Sequence, residues 1–517
     1  MGPADRERRT PGRGEEPQLP RDFRALLAQP RRGGRRLHRR GARHPLLRQG
    51  RAEPGGARRP CLAGLRIQEH RRIRRGRPMN AREHFHDLLD SLRPLLRGDE
   101  GFTLDYRAED SEFVRFNRAR VRQAGQVRQI HATLALYLGE RHARFELSLS
   151  GTIEEDRPRL RHALERLRAL VPALAPDPYL RLEREPWRSE SSEAGAPPEV
   201  ATAVGQILDA AAGLDLVGIH AAGPQYQGFA SSWGAFGWHA ASSFNFDWSL
   251  FHANGQAVKS AYAGQRWDAG TFARRMASAR ERLEYLGRPA LTLAPGDYRA
   301  YLAPAALDEI LDMLGGGFSA QALASGASPL QRLFAGSARL SPLVTLDERV
   351  AGGLAPAFTG EGPRRDLRLL AAGLPGERLI GSRSAAEYGL TANGAGDHEH
   401  PLSLAMAGGE LDERDILARL DTGLYIGNLW YLNFSDRPAG RLTGMTRFAT
   451  FWVENGRIQA PVGTMRFDDS VFDFLGPHLE ALTREPETIL PAGTYGARQS
   501  GSRTLPGALL GRFTLTL

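Results

Sequence analysis

The chain has 517 residues, of which 41% are hydrophobic and 25% charged, a composition typical of a globular protein. At roughly 100–200 residues per domain, this length allows two or three domains. A run of about 18 apolar residues, the minimum for an ordinary transmembrane helix, occurs nowhere in the sequence, so no membrane span is expected.

The net charge of +10 comes entirely from the first 78 residues. They hold 23 of the 69 basic and 7 of the 59 acidic residues, so the other 439 residues carry 46 basic and 52 acidic residues, a net charge of −6. Strings of Arg, Gly and Pro without apolar periodicity cannot bury a core. We therefore predict that residues 1–78 form a disordered leader. A nucleic-acid-binding arm is the alternative, because clustered arginines neutralise phosphates.

A third interpretation of the leader is a misassigned start of translation. The chain has one lysine, Lys259, against 68 arginines, as expected of a GC-rich coding sequence. Met79 opens the stretch MNAREHFHDLLDSLRPLL, a helical pattern with Asn80 as N-cap and Glu83 three residues later. These features favour Met79 as the start. Cys61, the only cysteine, precedes it, so no disulfide framework is expected after Met79 and a cytoplasmic setting is the expectation.

The predicted elements of the first half mix helices and strands. Residues 79–96 have a helical pattern, and residues 102–150 alternate as strands with a turn at 139–140. The next helix is predicted over 156–174, the composition of 185–198 is typical of a linker, and a further helix is predicted over 199–212. The helix over 156–174 carries an apolar face, formed by Leu160, Leu164, Leu167 and Leu170.

The stretch 215–262 is predicted to be strands and is rich in aromatic residues. Their spacing of two residues is typical of a buried strand face, which favours core packing over stacking of bases or peptide side chains. The aromatic residues are Trp233, Phe236, Trp238, Phe244, Phe246, Trp248 and Phe251.

Beyond that stretch, the sequence predicts a helix over 269–287, a strand–turn–strand over 291–304 and a helix over 304–314 that ends at three glycines. The remainder is predicted to be strands and loops with one helix near 413–420. Strands and helices do not alternate as βαβ units, so the predicted fold class is α+β. We expect an N-terminal domain of sheet and helices over 79–290, followed by a sheet-rich C-terminal domain over 291–517.

One local pattern could bind a metal. In GAGDHEHPL, His398 and His400 would point the same way if the segment were a strand, with Asp397 as a possible oxygen ligand. A polar loop is the more frequent context for such a pair. The sequence contains no nucleophile elbow and no phosphate-binding glycine loop, so a serine-hydrolase triad and nucleotide binding have no support.

Three stretches together resemble the TldD/PmbA family, long labelled modulators of DNA gyrase and understood as metallopeptidases. They are SEFVRFNRARVRQAGQVRQ at 111–129, LAPGDYRAYLAPAALDEILDMLGGGFSAQ at 293–321, and the segment 422–467 that contains FWVENGRIQAPV. The third is the most specific of the three, and the likeness covers about residues 105–517. The leader lies outside it.

The resemblance implies what the site should contain. TldD-like members carry H-E-x-x-x-H on the helix of the second stretch, and a C-terminal cysteine completes a zinc site. PmbA-like, or TldE-like, members lack these ligands and pair with a TldD-like subunit. Here the matching positions hold Asp308, Glu309 and Met313, and no cysteine follows Met79. The chain is therefore similar to the PmbA/TldE-like branch, with no zinc of its own and zinc expected in a TldD-like partner.

The functional expectation is a non-catalytic subunit that supports proteolysis of unfolded peptides by a TldD-like partner. The expected peptide contacts are Asn428, Trp430, Asn433 and Arg447. The alternatives left open are an active metallopeptidase with a divergent site at His398 and His400, and a stand-alone or homodimeric peptide-binding protein in which Trp430 and Phe434 are part of the core.

Overall fold

A computed structural model describes residues 80–193, 195–494 and 496–517 of the chain. The leader, Cys61 and the expected start at Met79 lie outside these residues, so the predictions made for them stay predictions. No helix within the described residues is long and apolar enough to cross a membrane.

The first described helix begins where the capping pattern predicts it. The Asn80 side chain accepts a hydrogen bond from the backbone N–H of Glu83 at 3.2 Å, and its amide donates to the Glu83 carboxylate at 2.5 Å. This reciprocal pairing satisfies a backbone donor that the first turn of a helix otherwise leaves free. The helix then buries an apolar face that includes Phe85, Leu88 and Leu89.

The elements of residues 80–290 build one large sheet with helices packed on it. Its strand order is β3-β2-β1-β5-β6, and both β4 and β7 pair with β6. β4 is parallel to β6, and the other pairings are antiparallel. The elements are helix α1 (Ala81–Leu92), strands β1 (Glu100–Asn117), β2 (Arg120–Leu138) and β3 (Arg141–Leu149), helix α2 (Ile153–Leu170), strand β4 (Arg188–Glu193), helix α3 (Val200–Ala210), strands β5 (Asp215–Ser231), β6 (Phe236–Phe251) and β7 (Ala257–Gly264), and helix α4 (Ala269–Tyr285).

The aromatic residues of β6 form the core that the two-residue spacing predicts. Phe236 and Trp238 pack in one cluster with α1 and α2. Phe244, Phe246 and Trp248 pack in a second cluster with α3 and α4, where the rings of Phe246 and Trp248 stack at 4.6 Å. Core packing is thus confirmed for these five residues. At the edges of the stretch, Trp233 is half-buried and Phe251 is 38% exposed.

Residues 291–517 form two larger sheets and short helices. One sheet has the strand order β13-β12-β9-β14-β21-β20; the other has the order β15-β8-β22-β18-β16-β17, and pairing of β15 with β16 closes it on itself. The elements are β8 (Gly296–Leu302), α5 (Pro304–Leu314), α6 (Ala320–Ala324), α7 (Gln331–Phe334), β9 (Leu346–Glu348), β10 (Phe358–Thr359), β11 (Gly362–Pro363), β12 (Leu367–Ala371), β13 (Leu374–Pro375), α8 (Ser382–Tyr388), β14 (Ser403–Met406), α9 (Ile416–Leu420), β15 (Gly423–Asp436), β16 (Arg441–Glu454), β17 (Arg457–Pro461), β18 (Arg466–Ser470), α10 (Val471–Phe474), β19 (Leu479–Leu482), β20 (Glu487–Ile489), β21 (Ser502–Leu505) and β22 (Ala508–Leu515).

The α+β class is confirmed, with corrections to individual elements. The stretch 185–198, predicted as a linker from its Ser, Glu and Pro content, contains the edge strand β4. Only β8 forms within 291–304, because Leu291 makes an isolated bridge to Val462 instead of a strand. Leu170, predicted on the apolar face of α2, is 50% exposed. Short helices α6, α7, α8 and α10 add to the single helix predicted after residue 315. The domain division at residue 291 stays a prediction.

The C-terminal segment covers a face of the first sheet. Arg498 is buried there, and its guanidinium donates to the Ser111 hydroxyl at 3.3 Å and to the Gly223 carbonyl at 3.1 Å. It also donates to the backbone carbonyl and the hydroxyl of Ser243, at 3.0 and 2.5 Å. Strands β1, β5 and β6 are therefore held by one side chain that belongs to the far end of the chain.

His220 on β5 is buried without a polar partner. Its side chain is fully buried, and neither ring nitrogen has a hydrogen-bond partner among the described residues. Phe246 and Trp267 lie beside the ring, at centroid distances of 6.3 and 6.0 Å. Burial, together with the smaller effect of the positive charge of Arg498, lowers the pKa of His220 to about 4. The ring is therefore neutral in the folded protein near pH 7.

This burial predicts an acid-sensitive fold. Below pH 6.5 the unfolded chain protonates His220, whereas the folded chain does so only near pH 4, so stability falls as the pH drops through that window. Between pH 6.5 and 5 the loss from this residue is about 2 kcal/mol. Urea denaturation of His220→Leu should show a correspondingly smaller loss. His162→Leu, at an exposed position of α2, is the control that should behave as wild type; an equal loss in His220→Leu and wild type would contradict the buried neutral ring.

Candidate functional site

Helix α5 carries Asp308, Glu309 and Met313, the positions that match H-E-x-x-x-H in the resemblance. Pro304 occupies its first turn, where a missing N–H costs nothing, and the helix ends at Gly315. Leu307, Ile310 and Leu311 are buried in the core of the C-terminal half. The helix is fixed in place by this apolar face and by packing against β15.

The acidic residues of α5 hold a guanidinium. Arg503, on β21, donates from Nε to the Asp308 carboxylate, and its Nη1 lies 2.6 Å from the Asp312 carboxylate. Only 15% of the Asp308 side chain is exposed. Asp308 therefore does not face solvent, because Arg503 reaches over the helix and neutralises two carboxylates one turn apart.

Glu309 keeps the position of the motif glutamate but lies apart from this cluster. Its side chain reaches solvent. Nevertheless, surrounding protein removes enough water to raise the pKa of its carboxyl, and the charges of Asp308 and Asp312 raise it further. Lys259, the only lysine, acts in the opposite direction from β7. Helix α5 therefore presents its free carboxylate toward the edge of the first sheet.

Met313 is the last of the three motif positions, and it does not complete a set of zinc ligands. Its side chain is half-buried and packs against the C-terminal core. Zinc prefers sulfur and nitrogen ligands in a tetrahedral arrangement. Here one carboxylate is bonded to a guanidinium, one is exposed, and the thioether belongs to the core. These side chains do not fit a zinc ion.

The segment with His398 and His400 is a turn, so the strand geometry that would point both histidines the same way is not formed. Glu399, between the two histidines, adopts a positive φ of 44°, which reverses the chain locally. Both histidines are exposed, while the Glu399 side chain is buried. Its carboxylate accepts from the Ser319 hydroxyl at 2.5 Å and from the backbone N–H of Gly381 at 2.7 Å. The buried residue of this motif is therefore the glutamate, which joins two loops.

His400 lies against the end of α5. A Cβ built on Gly315 would sit 2.6 Å from the Nε2 of His400, so this glycine makes room for the imidazole. The other ring nitrogen, Nδ1, is 3.1 Å from the carbonyl of Pro401. Across the described ranges, no three His, Cys, Asp or Glu side chains are grouped so that they could hold a metal.

The hairpin β15–β16 brings together three of the four predicted peptide contacts. Asn428 lies opposite Arg447, and the Arg447 guanidinium sits 4.0 Å above the ring of Trp430. This distance is that of a cation–π contact. Trp430 is 48% exposed, so its placement in the core is wrong, whereas Phe434 is half-buried and packs against the core. Asn433 is exposed farther along the strand, opposite Thr443.

The sequence analysis missed two aromatic neighbours on this hairpin. Tyr431 is 70% exposed, with its ring 5.4 Å from that of Trp430, and Phe448 lies under the Arg447 guanidinium at 5.1 Å. Tyr431 and Phe448 have positive φ angles of 58° and 57°, which are strained for bulky side chains. Such strain concentrates at functional positions. We call Trp430, Tyr431, Arg447 and Phe448 the hairpin patch.

A signal for this irregularity is present in the sequence of β15. The inward-facing side chains have even residue numbers at Leu424 and Ile426 and an odd number at Leu429, all of which are buried. The pattern returns to even numbers at Leu432 and Phe434, which are half-buried. Each change of parity requires an extra residue, because strand side chains alternate between faces. Two of the three register shifts of β15 against β16 lie at these two places.

The family described as PmbA/TldA metallopeptidase C-terminal domain matches residues 295–516. Residues 295–516 therefore form a domain of the TldD/PmbA family. The match begins at the turn before β8, so this TldD/PmbA domain contains α5, Arg503 and the hairpin patch. No curated protein matches the chain by sequence.

Solved structures share the fold of this chain at low sequence identity. A candidate modulator of a DNA gyrase from Thermotoga maritima is 14% identical with a TM-score of 0.65, and covers 84% of this chain and 100% of its own. TldE from Thermococcus kodakarensis is 15% identical with a TM-score of 0.66, over 83% and 100%. A candidate modulator of DNA gyrase from Bacteroides thetaiotaomicron is 15% identical with a TM-score of 0.64, over 84% and 98%.

The Arg503 contacts predict a measurable coupling energy. Arg503→Gln leaves the partly buried Asp308 carboxylate without its counter-ion and should lower the free energy of unfolding by about 1–3 kcal/mol. Asp308→Asn in the same background should recover part of this loss, because it removes the isolated charge. Arg484→Gln, which breaks an exposed pair with Asp412, should cost less than about 1 kcal/mol. Equal losses in chemical denaturation for Arg503→Gln and Arg484→Gln would contradict a special role of Arg503.

Proposed function

We propose that the chain is a non-catalytic, TldE-like subunit that supports proteolysis of unfolded peptides by a TldD-like partner. The observation that carries the proposal is the guanidinium of Arg503 between Asp308 and Asp312. In the resemblance drawn from sequence, Asp308 stands where catalytic members have the first histidine of H-E-x-x-x-H. In this chain the Arg503 guanidinium thus balances the negative charges of Asp308 and Asp312 on α5. The resemblance matches α5 to the helix that carries metal ligands in catalytic members.

The side chains at the motif positions favour a non-catalytic role for this chain over a catalytic one. A catalytic zinc needs three good protein ligands and a general base beside the bound water. Glu309 could serve as a base, but Asp308 is already bonded to Arg503 and Met313 is a weak ligand. Hydrolysis would therefore depend on residues supplied by another chain, and no step of the reaction is assigned to this one.

The hairpin patch supports an interaction with another protein or a peptide. Trp, Tyr and Arg are the residues that contribute most to binding at protein interfaces. Trp430 and Tyr431 expose 48% and 70% of their surface, although burial of such rings is strongly favourable. Asn428 and Arg447 lie beside the rings and could donate hydrogen bonds to a peptide backbone. A TldD-like partner that covers the patch would remove this exposed apolar surface from water.

The metal content of the chain tests the catalytic alternative. The full-length protein, purified alone and dialysed against zinc-containing buffer, should retain well under one equivalent of zinc by elemental analysis. It should also fail to cleave an unfolded peptide. His398→Ala/His400→Ala should leave the zinc content unchanged. Tight, stoichiometric zinc that this double variant loses would support the active metallopeptidase with a divergent site and overturn the proposal.

Co-expression with a TldD-like protein of the same organism tests the partnership. The two chains should elute as one complex in size-exclusion chromatography, and peptide cleavage should require both. Trp430→Ala/Tyr431→Ala should weaken complex formation by about tenfold or more, as expected when two aromatic anchors are truncated. Tyr179→Ala is the matched control, since Tyr179 is an exposed aromatic with its own arginine contact.

The outcomes separate the competing functions. If the chains elute separately and the TldD-like protein is fully active alone, the pairing proposal fails. Concentration-dependent self-association that Trp430→Ala/Tyr431→Ala disrupts would then favour a homodimeric peptide-binding protein.

A further inference from the structure

A surface cavity of about 310 Å³ lies in the C-terminal half and includes none of the residues discussed so far as functional. Three segments that are distant in sequence converge on it: the loop after α7, the turn between β15 and β16, and the junction of β18 with α10. Its volume is at the lower end of the range for small-molecule sites, about 300–1,000 Å³. The polar and aromatic lining consists of Arg332, Arg339, Arg441, Ser470, Phe472 and Asp473.

The lining carries positive charge that the protein does not neutralise. Arg441 is paired with Asp468, whose Oδ1 lies 3.0 Å from its Nε and 2.8 Å from its Nη2. The Asp473 carboxylate is 3.5 Å from Arg512, which lies outside the cavity. Arg332 and Arg339 form no ion pair within the part of the chain that the structure describes. Two guanidinium charges therefore remain without a counter-ion at this cavity.

The geometry of the walls holds one of these two groups, the Arg332 guanidinium, in place. The Arg332 guanidinium lies 5.5 Å from the centre of the Phe472 ring, which orients it by a cation–π contact. Phe472 in turn packs against the turn at Gly440, which has a φ of +61°. A Cβ at this glycine would lie 2.7 Å from the Phe472 ring. The close approach of the turn to Phe472 thus requires glycine and fixes one side of the cavity.

We infer that this cavity binds the phosphoryl group of a small phosphomonoester. A phosphomonoester carries close to two negative charges near pH 7 and three terminal oxygens, which matches two unpaired guanidiniums with several donors each. A single carboxylate would leave one guanidinium unbalanced. The Asp473 carboxylate at the wall is an acceptor for an amine or hydroxyl group on the same ligand. This site is independent of the proposed role in proteolysis.

The test is calorimetric titration of the full-length protein with phosphoserine and with inorganic phosphate, at physiological ionic strength. Arg332→Gln/Arg339→Gln removes both unpaired charges and should weaken binding of each probe by about tenfold or more, because charge-assisted hydrogen bonds are lost. Arg419→Gln/Arg457→Gln changes the net charge equally at exposed positions outside the cavity and should leave the affinity unchanged. Thermal unfolding of both double variants checks that they fold.

The possible outcomes decide the proposal. Tighter binding of phosphoserine than of inorganic phosphate, lost in Arg332→Gln/Arg339→Gln alone, identifies the ester as the ligand and supports it. Equal binding of both probes with the same loss supports the phosphoryl site and identifies free phosphate as the source. Absence of binding to the wild type, or an equal loss in the control variant, overturns the proposal in favour of non-specific charge attraction.

Discussion

The buried guanidinium of Arg498 carries a positive charge into the interior of the protein and joins the C-terminal segment to the first sheet. It bonds to Ser111, Gly223 and Ser243, one residue from each of three strands of the first sheet. Burial lowers the pKa of Arg498 to about 10, which still leaves it charged at neutral pH. A buried charge is tolerated only when its donors are satisfied, so the sheet and the C-terminal segment must fold together. Residues 80–517 accordingly belong to one compact unit.

Much of the fold followed from local patterns. The apolar spacing gave α1, α2, α4 and α5, and the aromatic alternation gave the buried face of β6. These elements are predictable because a helix or strand must bury one face, and the spacing of apolar residues records which face it is. Strand β4 could not be predicted in this way. Its Ser and Glu side chains resemble a loop, and its place at the edge of the sheet comes from pairing with β6.

The candidate site was less accessible from sequence. The sequence shows directly that positions 308 and 313 hold Asp and Met where the resemblance to TldD-like members expects histidine. The pairing of Asp308 with Arg503 cannot be seen in this way, because it joins residues 195 positions apart. The sequence also suggested the wrong central residue in DHEH, where the buried group is Glu399 and not either histidine. On β15, the exposure of Trp430 depends on two bulges whose parity signal is readable only once the strand pairing is known. Long-range contacts of this kind are set by the tertiary fold.

The bond between Arg503 and α5 also gives this helix a positive counter-charge that is not a metal ion. A zinc centre is complete only when the cell provides the ion and the ligands have given up their protons. The Arg503 guanidinium, unlike a zinc ion, is part of the polypeptide. Burial alone would lower its pKa, but the charges of Asp308 and Asp312 outweigh that effect and raise it above its ordinary value. The counter-charge of Asp308 and Asp312 is therefore encoded in the polypeptide and does not have to be supplied by the cell as an ion.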